Sequence, residues 1–276
     1  MRVLADHRRV VSQALSDGKK VGPWYSVVRI VALRSGAQPA TRPKGRRRRR
    51  HRGLDAVIDF RRIMGDHTER EYLKPYRRAV ERFGAGFEAT LWGSRDAQTL
   101  RFDVMIDVAR FEGCVILDAG CGQGDFAARL LERSVEFKRY VGVDALKQMI
   151  DAARVRNLPR CEFLCADVLV NPAIVAGQQP DYVCISGTLN TMDEPAARRL
   201  VASSFDAAAQ GVAFNFLSSR HHRRWEGKDL TPARRFDPLR WLDFSLSLSS
   251  RVSFTQAYLD GHDATMLILH DEEAVA

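Results

Sequence analysis

The chain of 276 residues is 45% hydrophobic and 28% charged, enough apolar material for a sizeable core and too little bias for a disordered, collagen-like or disulfide-scaffold protein. Its net charge of +9 comes from one end: residues 1–63 carry 17 Lys and Arg against 4 Asp and Glu, whereas residues 64–276 carry 26 against 30. Nucleic-acid binding inferred from the overall basic balance would therefore rest on those first 63 residues alone.

Residues 1–53 show no sustained periodicity, and they end in prolines, glycines and five arginines at 46–50. Such a run repels itself and does not offset the entropy of ordering. Three readings stand for residues 1–63: an arm for nucleic acid or a membrane surface, a solvated disordered extension, or a segment ahead of a native start at Met64. The last is preferred, because a compact, balanced composition begins at Met64. No apolar run approaches the ~18–20 residues of a membrane span. The longest, Tyr25 to Leu33, is short and broken by Arg29. The first residues lack the apolar stretch of a secretory signal. The five cysteines Cys114, Cys121, Cys161, Cys165 and Cys184 form no metal-ligand spacing. Cys161 and Cys165 read as small buried groups on one strand face. The expectation is a cytoplasmic protein without disulfides or metal.

Residues 64–112 predict a helical cap. Tyr72, Leu73, Tyr76, Val80 and Phe83 recur at helical spacing, and a second helix is predicted over 97–109. Short apolar runs then alternate with helices. The predicted strands are Val115–Asp118, Tyr140–Asp144, Cys161–Asp167, Asp181–Ser186 and Gly211–Leu217, with helices over 124–133, 146–156 and 194–209. That alternation predicts an α/β domain, a Rossmann-like doubly wound sheet, mostly parallel. Phe254–Leu259 and Ala264–His270 flank Asp260-Gly261, which predicts a C-terminal antiparallel hairpin with Asp-Gly at its turn. A polar insertion separates the fifth and sixth strands and turns helical near Pro238 to Phe244.

The first predicted strand ends in Leu117-Asp-Ala-Gly-Cys-Gly-Gln-Gly-Asp125. Gly120 permits a tight turn, Gly122 and Gly124 allow close backbone approach, and the next helix presents free N–H groups. A nicotinamide loop needs a third glycine where Asp125 stands, and a carboxylate there repels a pyrophosphate. A phosphate-binding G-x-x-x-x-G-K-[ST] loop is absent. A nucleoside ligand carrying positive charge suits Asp118 and Asp125 better.

Asp118-x-Gly120-x-Gly122-x-Gly124 resembles the first motif of the class I S-adenosylmethionine-dependent methyltransferases. The resemblance continues through Asp144 at the end of the second strand, Cys165-Ala-Asp-Val168 after the third, and the terminal hairpin, and it covers residues 64–276. It implies S-adenosyl-L-methionine as cofactor and methyl transfer as activity. Asp144 is implied to accept hydrogen bonds from both ribose hydroxyls, or to cap the following helix, or both. Asp167, or the backbone N–H of Val168, is implied at the adenine edge, the alternative being a solvated turn residue. Leu146, beside Ala145, stacks on adenine or packs in the core. Asp118 lies near the ligand's amino end or stabilises the loop.

Ser186, Gly187, Thr188 and Asn190 follow the fourth strand, at the edge that faces the transferable methyl in this family. Ser186 and Gly187 are implied in the cofactor site, and Asn190, Thr188 and Ser186 are candidates to orient an acceptor. Trp92 and Arg101 are implied to reach back over the ligand, with Arg101 pairing with the methionyl carboxylate or else lying on the surface. Tyr72 and Tyr76 either lid the pocket or pack. Asn215 reads as a buried amide, and His221 and His222 as a solvated loop. No general base is legible, and the transfer needs one only if the acceptor must lose a proton. The Asn-Pro-Pro-Tyr motif of amino-group methyltransferases is missing, so the acceptor is left open, a small molecule by default. Two other functions compete: a nicotinamide-dependent oxidoreductase, and a nucleic-acid-binding protein acting through the arginine-rich segment.

Overall fold

The central strands are buried on both faces, so they read as continuous apolar runs rather than alternating ones. The computed structural model describes residues 70–271 and the backbone of Val28–Val31. The Arg46–Arg50 run and Met64 lie outside the described residues.

In chain order the strands are β1 (Val28–Val31), β2 (Val115–Ala119), β3 (Arg139–Asp144), β4 (Cys161–Cys165), β5 (Tyr182–Ile185), β6 (Gly211–Leu217), β7 (Arg251–Thr255) and β8 (Asp263–Leu269). They form one sheet in the order β1-β7-β8-β6-β5-β2-β3-β4. β2 to β6 pair in parallel, and β8 runs antiparallel to β6 and β7. The sheet is thus Rossmann-like, doubly wound and mostly parallel, with the expected antiparallel end. β2 lies between β3 and β5, so the chain leaves it first to one side and then returns to the other. A crevice opens at the carboxyl edge of the sheet at such a reversal.

The helices are α1 (Lys74–Phe83), α2 (Arg95–Val108), α3 (Asp125–Glu132), α4 (Lys147–Val155), α5 (Ala173–Ala176), α6 (Glu194–Ala207) and α7 (Pro238–Leu248). Their starts follow local chemistry. Ser94, Asp193 and Asp237 each accept a backbone N–H of the helix they precede, and prolines stand in the first turns of α6 and α7. Alternate strand residues serve opposite layers. Leu117, Val141, Val183 and Phe214 pack with α6 and Trp241 of α7. Ile116, Tyr140, Tyr182 and Ala213 pack with α2 and with Phe126 of α3.

Four expectations need correction. Residues 1–53 show no sustained periodicity, yet Val28–Val31 pairs antiparallel with β7, in register Val28 to Phe254 through Val31 to Arg251. The terminal hairpin does not turn on two residues: β7 ends at Thr255, and a 3-10 turn at Leu259–Gly261 precedes β8. The predicted strand over 254–259 is shifted because Tyr258 is buried in the connection, its hydroxyl 2.6 Å from Thr265 Oγ1. Finally, Cys165 is exposed and Cys161 only half-buried, because β4 is the open edge of the sheet.

Candidate active site

The glycine loop leaves β2 and turns at once into α3. Gly120 has φ +86°, and a Cβ placed on it would stand 2.2 Å from Thr188 Oγ1. Only glycine permits both the left-handed backbone and the contact with the β5 loop. Gly124 answers to a different constraint. A Cβ there would meet the Phe163 ring at 2.8 Å, so this glycine packs the loop against β4 and does not line the crevice. The expectation that Gly124 contacts a ligand is corrected accordingly.

Asp118 is buried at the end of β2. Its Oδ2 accepts the Tyr140 hydroxyl at 2.5 Å, and its Oδ1 has no hydrogen-bond partner among the described residues. Burial raises the carboxyl to about 7, against the hydrogen bond from Tyr140 and helped by the neighbouring Asp144 and Asp125. Tyr140 was missed in the sequence. It stands two residues before Gly142, the register partner of Asp118, so the parity of β3 carried the signal.

Asp144 closes β3. One oxygen accepts Gly122 N–H at 3.0 Å and the other accepts Leu146 N–H at 2.8 Å. Its carboxylate therefore ties the glycine loop to the start of α4, and burial raises its pKa in spite of these two bonds. Ala145 and Leu146 line the same crevice. Asp167, beyond β4, accepts the Tyr72 hydroxyl at 2.5 Å on Oδ1, with Leu169 N–H at 3.1 Å on the same atom. Asp167 Oδ2 is buried without a partner. Val168 is buried beside it and also lines the crevice.

Tyr72 and Tyr76 both border the crevice, and the Tyr76 hydroxyl lies 3.4 Å from Gly187 O. At the β5 end, Ser186, Gly187 and Thr188 line the opening. Asn215 is the buried amide foreseen. It accepts Gly187 N–H at 2.9 Å and donates to Ser186 Oγ at 2.9 Å, which fixes that loop. Trp92 packs flat against Gly187, where a Cβ would meet its ring at 2.5 Å.

Arg101 and Asn190 lie elsewhere. Arg101 forms a buried two-pronged ion pair with Asp263, at 2.5 and 2.6 Å, beneath the Trp92 ring. Its expected pairing with a ligand carboxylate in the crevice is corrected. Its Nε and Nη2 are taken by a carboxylate of β8, 162 residues away. Asn190 accepts Leu217 N–H at 2.9 Å and faces a second chamber of about 500 Å³. Tyr76, Thr90, Trp92 and Gly187 border both spaces. His221 and His222 line neither.

A family described as a methyltransferase domain matches residues 116–211, from β2 through the start of β6. Residues 116–211 thus match a methyltransferase domain, the kind of enzyme that the glycine-loop motifs resemble. Solved structures share its fold. A magnesium protoporphyrin IX methyltransferase from Synechocystis PCC 6803, with bound S-adenosylhomocysteine, is 14% identical over 73% of this chain and 98% of its own, with TM-score 0.50. An O-methyltransferase family protein from Burkholderia thailandensis is 15% identical over 72% and 63%, with TM-score 0.54. A methyltransferase from Archaeoglobus fulgidus is 16% identical over 66% and 97%, with TM-score 0.53. No curated protein matches the chain in sequence. Among the described residues, no helix of this methyltransferase is long and apolar enough to cross a membrane.

S-adenosyl-L-methionine, the cofactor that the motif resemblance implies, carries its methyl group on a positively charged sulfur. The crevice suits it. Four carboxylates line the space (Asp118, Asp125, Asp144 and Asp167) and no Lys or Arg does. Two of them leave a buried oxygen unpartnered. An orphaned buried carboxylate oxygen is costly, so a positively charged or N–H-bearing ligand relieves it. A dinucleotide pyrophosphate would meet the same carboxylates, of which only Asp125 is offset by a cation, Arg156 at 2.6 Å.

Proposed function

We propose that this methyltransferase methylates a small organic molecule that reaches the cofactor through the second chamber. The carrying observation is the shared wall: Tyr76, Thr90, Trp92 and Gly187 border both the carboxylate-lined crevice and the chamber. In this proposal Asp118 Oδ1 receives the cofactor's ammonium, Asp144 its ribose hydroxyls, and Asp167 Oδ2 the adenine amine. Tyr72 holds Asp167 in place and closes the crevice over the adenosyl end. Water exclusion by the tyrosine lid and alignment across the shared wall lower the barrier. Burial keeps the Tyr76 hydroxyl protonated, its pKa raised to about 12, so it orients an acceptor and does not deprotonate one.

Calorimetry on the full chain tests this assignment. S-adenosylhomocysteine binds with one site and NAD gives no heat. Asp144→Ala weakens S-adenosylhomocysteine by about 1–3 kcal/mol, as expected for lost hydrogen bonds to a buried carboxylate. NAD binding, or an Asp144→Ala chain of unchanged affinity, removes these residues from the cofactor site.

A further inference from the structure

The chamber differs from the crevice in its polar groups. No Asp or Glu lines it. Thr90, Tyr76 and Trp225 spend their donors on the carbonyls of Phe87, Gly187 and Leu259, whereas three deeper groups keep a donor to spare. Arg101 spends Nε and Nη2 on Asp263 and leaves Nη1 without a hydrogen-bond partner among the described residues. Asn190 uses its oxygen on Leu217 N–H, so its amide NH2 is the part left to bind.

His262 is the third group. It is buried, lines the chamber and stacks on Trp225 with ring centres 4.0 Å apart. Arg235 Nη2 stands 2.9 Å from its Nδ1. A guanidinium only donates, so Nδ1 accepts and the hydrogen of the neutral ring sits on Nε2. Burial first, then Arg235 and Arg101, drive the imidazole down to about 3. His262 is therefore a fixed donor at neutral pH and not a base. The surrounding charge is positive as well: Arg235 has no ion-pair partner among the described residues, and Lys228 lies 4.5 Å over the Trp225 ring. The rest of the wall mixes the hydroxyl groups of Tyr76, Thr90, Ser94, Thr191 and Thr231 with apolar surface from Leu217, Leu230, Pro232 and the indoles of Trp92 and Trp225.

We infer that the chamber binds an organic carboxylate, with its apolar, planar body between the tryptophan-bearing walls and its anionic head on Arg101, Asn190 and His262. Three donors without a facing acceptor select for an anion, because a neutral amide satisfies them less well and a cation is repelled. Such a ligand arrives ionised, which agrees with a chamber that holds no base. The inference rests on the chamber being the acceptor site.

The test uses the full chain saturated with S-adenosylhomocysteine and three probes of one shape: benzoate, benzamide and benzylammonium. Binding is read by calorimetry and by tryptophan emission, since Trp92 and Trp225 line the space. Benzoate is expected to bind at least tenfold more tightly than benzamide, with benzylammonium not detected. His262→Phe keeps the stack on Trp225 and loses the donor. Asn190→Asp keeps the acceptor for Leu217 N–H and presents a carboxylate. Each is expected to weaken benzoate tenfold or more while S-adenosylhomocysteine affinity stays within twofold. Benzamide binding as tightly as benzoate, or both variants keeping full benzoate affinity, overturns the anion assignment and leaves the cofactor assignment standing. Failure of S-adenosylhomocysteine itself to bind overturns the function on which this inference rests.

Discussion

Crevice and chamber share a wall and have opposite chemistry. The crevice is lined by four carboxylates and no cation, whereas the chamber is lined by an arginine and a neutral histidine and no carboxylate. The sheet explains the contrast. Asp118, Asp144 and Asp167 stand at or just past the carboxyl ends of β2, β3 and β4, whereas the chamber borrows His262 and Arg235 from the segments around β8 and the β6–β7 insertion. The loop at the end of β2 can therefore hold one kind of cofactor while later segments of the chain select a different kind of partner. Opposite fields also keep each ligand in its own space, since an anion in the crevice or a cation in the chamber would be repelled.

The largest effect is expected in the glycine loop that lines the crevice. Gly120→Ala places a Cβ at φ +86° and 2.2 Å from Thr188 Oγ1. Strain of about 1–3 kcal/mol follows from the backbone alone, and the loop must move off Thr188. S-adenosylhomocysteine binding should vanish from calorimetry, and wild-type affinity would mean that the loop does not cradle the cofactor.

Asp118→Asn comes next. Asparagine still accepts the Tyr140 hydroxyl but no longer offers a carboxylate oxygen, so S-adenosylhomocysteine should weaken by about 1.5–3 kcal/mol, the range for hydrogen bonds to charged groups. The ligand-free chain should respond in the opposite direction. With the Asp118 carboxyl raised from 3.8 to about 7, the folded chain holds a proton that the unfolded chain has released across that interval. Stability therefore falls as pH rises from about 4 to 7 and is level above. The asparagine variant lacks this loss and should melt about 2–6 °C higher than the parent at pH 8. Ligand binding selects the ionised carboxylate, so parental S-adenosylhomocysteine affinity should increase from pH 6 to 8, and the variant should show no such rise. A flat profile in the parent would show that Asp118 does not meet the ammonium.

Tyr72→Phe carries the smallest effect. Asp167 Oδ1 keeps the backbone N–H groups of Leu169 and Val170, so only one hydrogen bond of the lid is lost. About 0.5–1.5 kcal/mol of cofactor affinity should go with it, and benzoate binding in the chamber should not change.

The cofactor side of this contrast was legible in the sequence because its signals are local. Asp118 to Gly124 form one strand–turn–helix, and Asp144 and Asp167 end neighbouring strands whose order follows from the βα alternation. The chamber was not legible, because each of its groups is defined by a distant partner. Arg101 reads as a candidate for a ligand carboxylate until β8 delivers Asp263 to its fork. His262 lies in what reads as a tight Asp-Gly turn, and only the folded insertion brings Trp225 and Arg235 to it. Gly124 misled for the reverse reason. Its spacing fits a ligand contact, but the ring it makes room for belongs to β4. Val28–Val31 lies in the apolar run Tyr25 to Leu33, but four residues within a basic segment carry too little periodicity to declare a strand.

A crystal structure of the full chain with S-adenosylhomocysteine tests the central claim most directly. The amino group is predicted to lie on Asp118 Oδ1, the ribose hydroxyls on Asp144 and the adenine amine on Asp167 Oδ2, with the chamber beyond Trp92 left for the acceptor. Ligand density in the chamber instead, or a bound ligand that leaves both orphaned carboxylate oxygens without a partner, would contradict it.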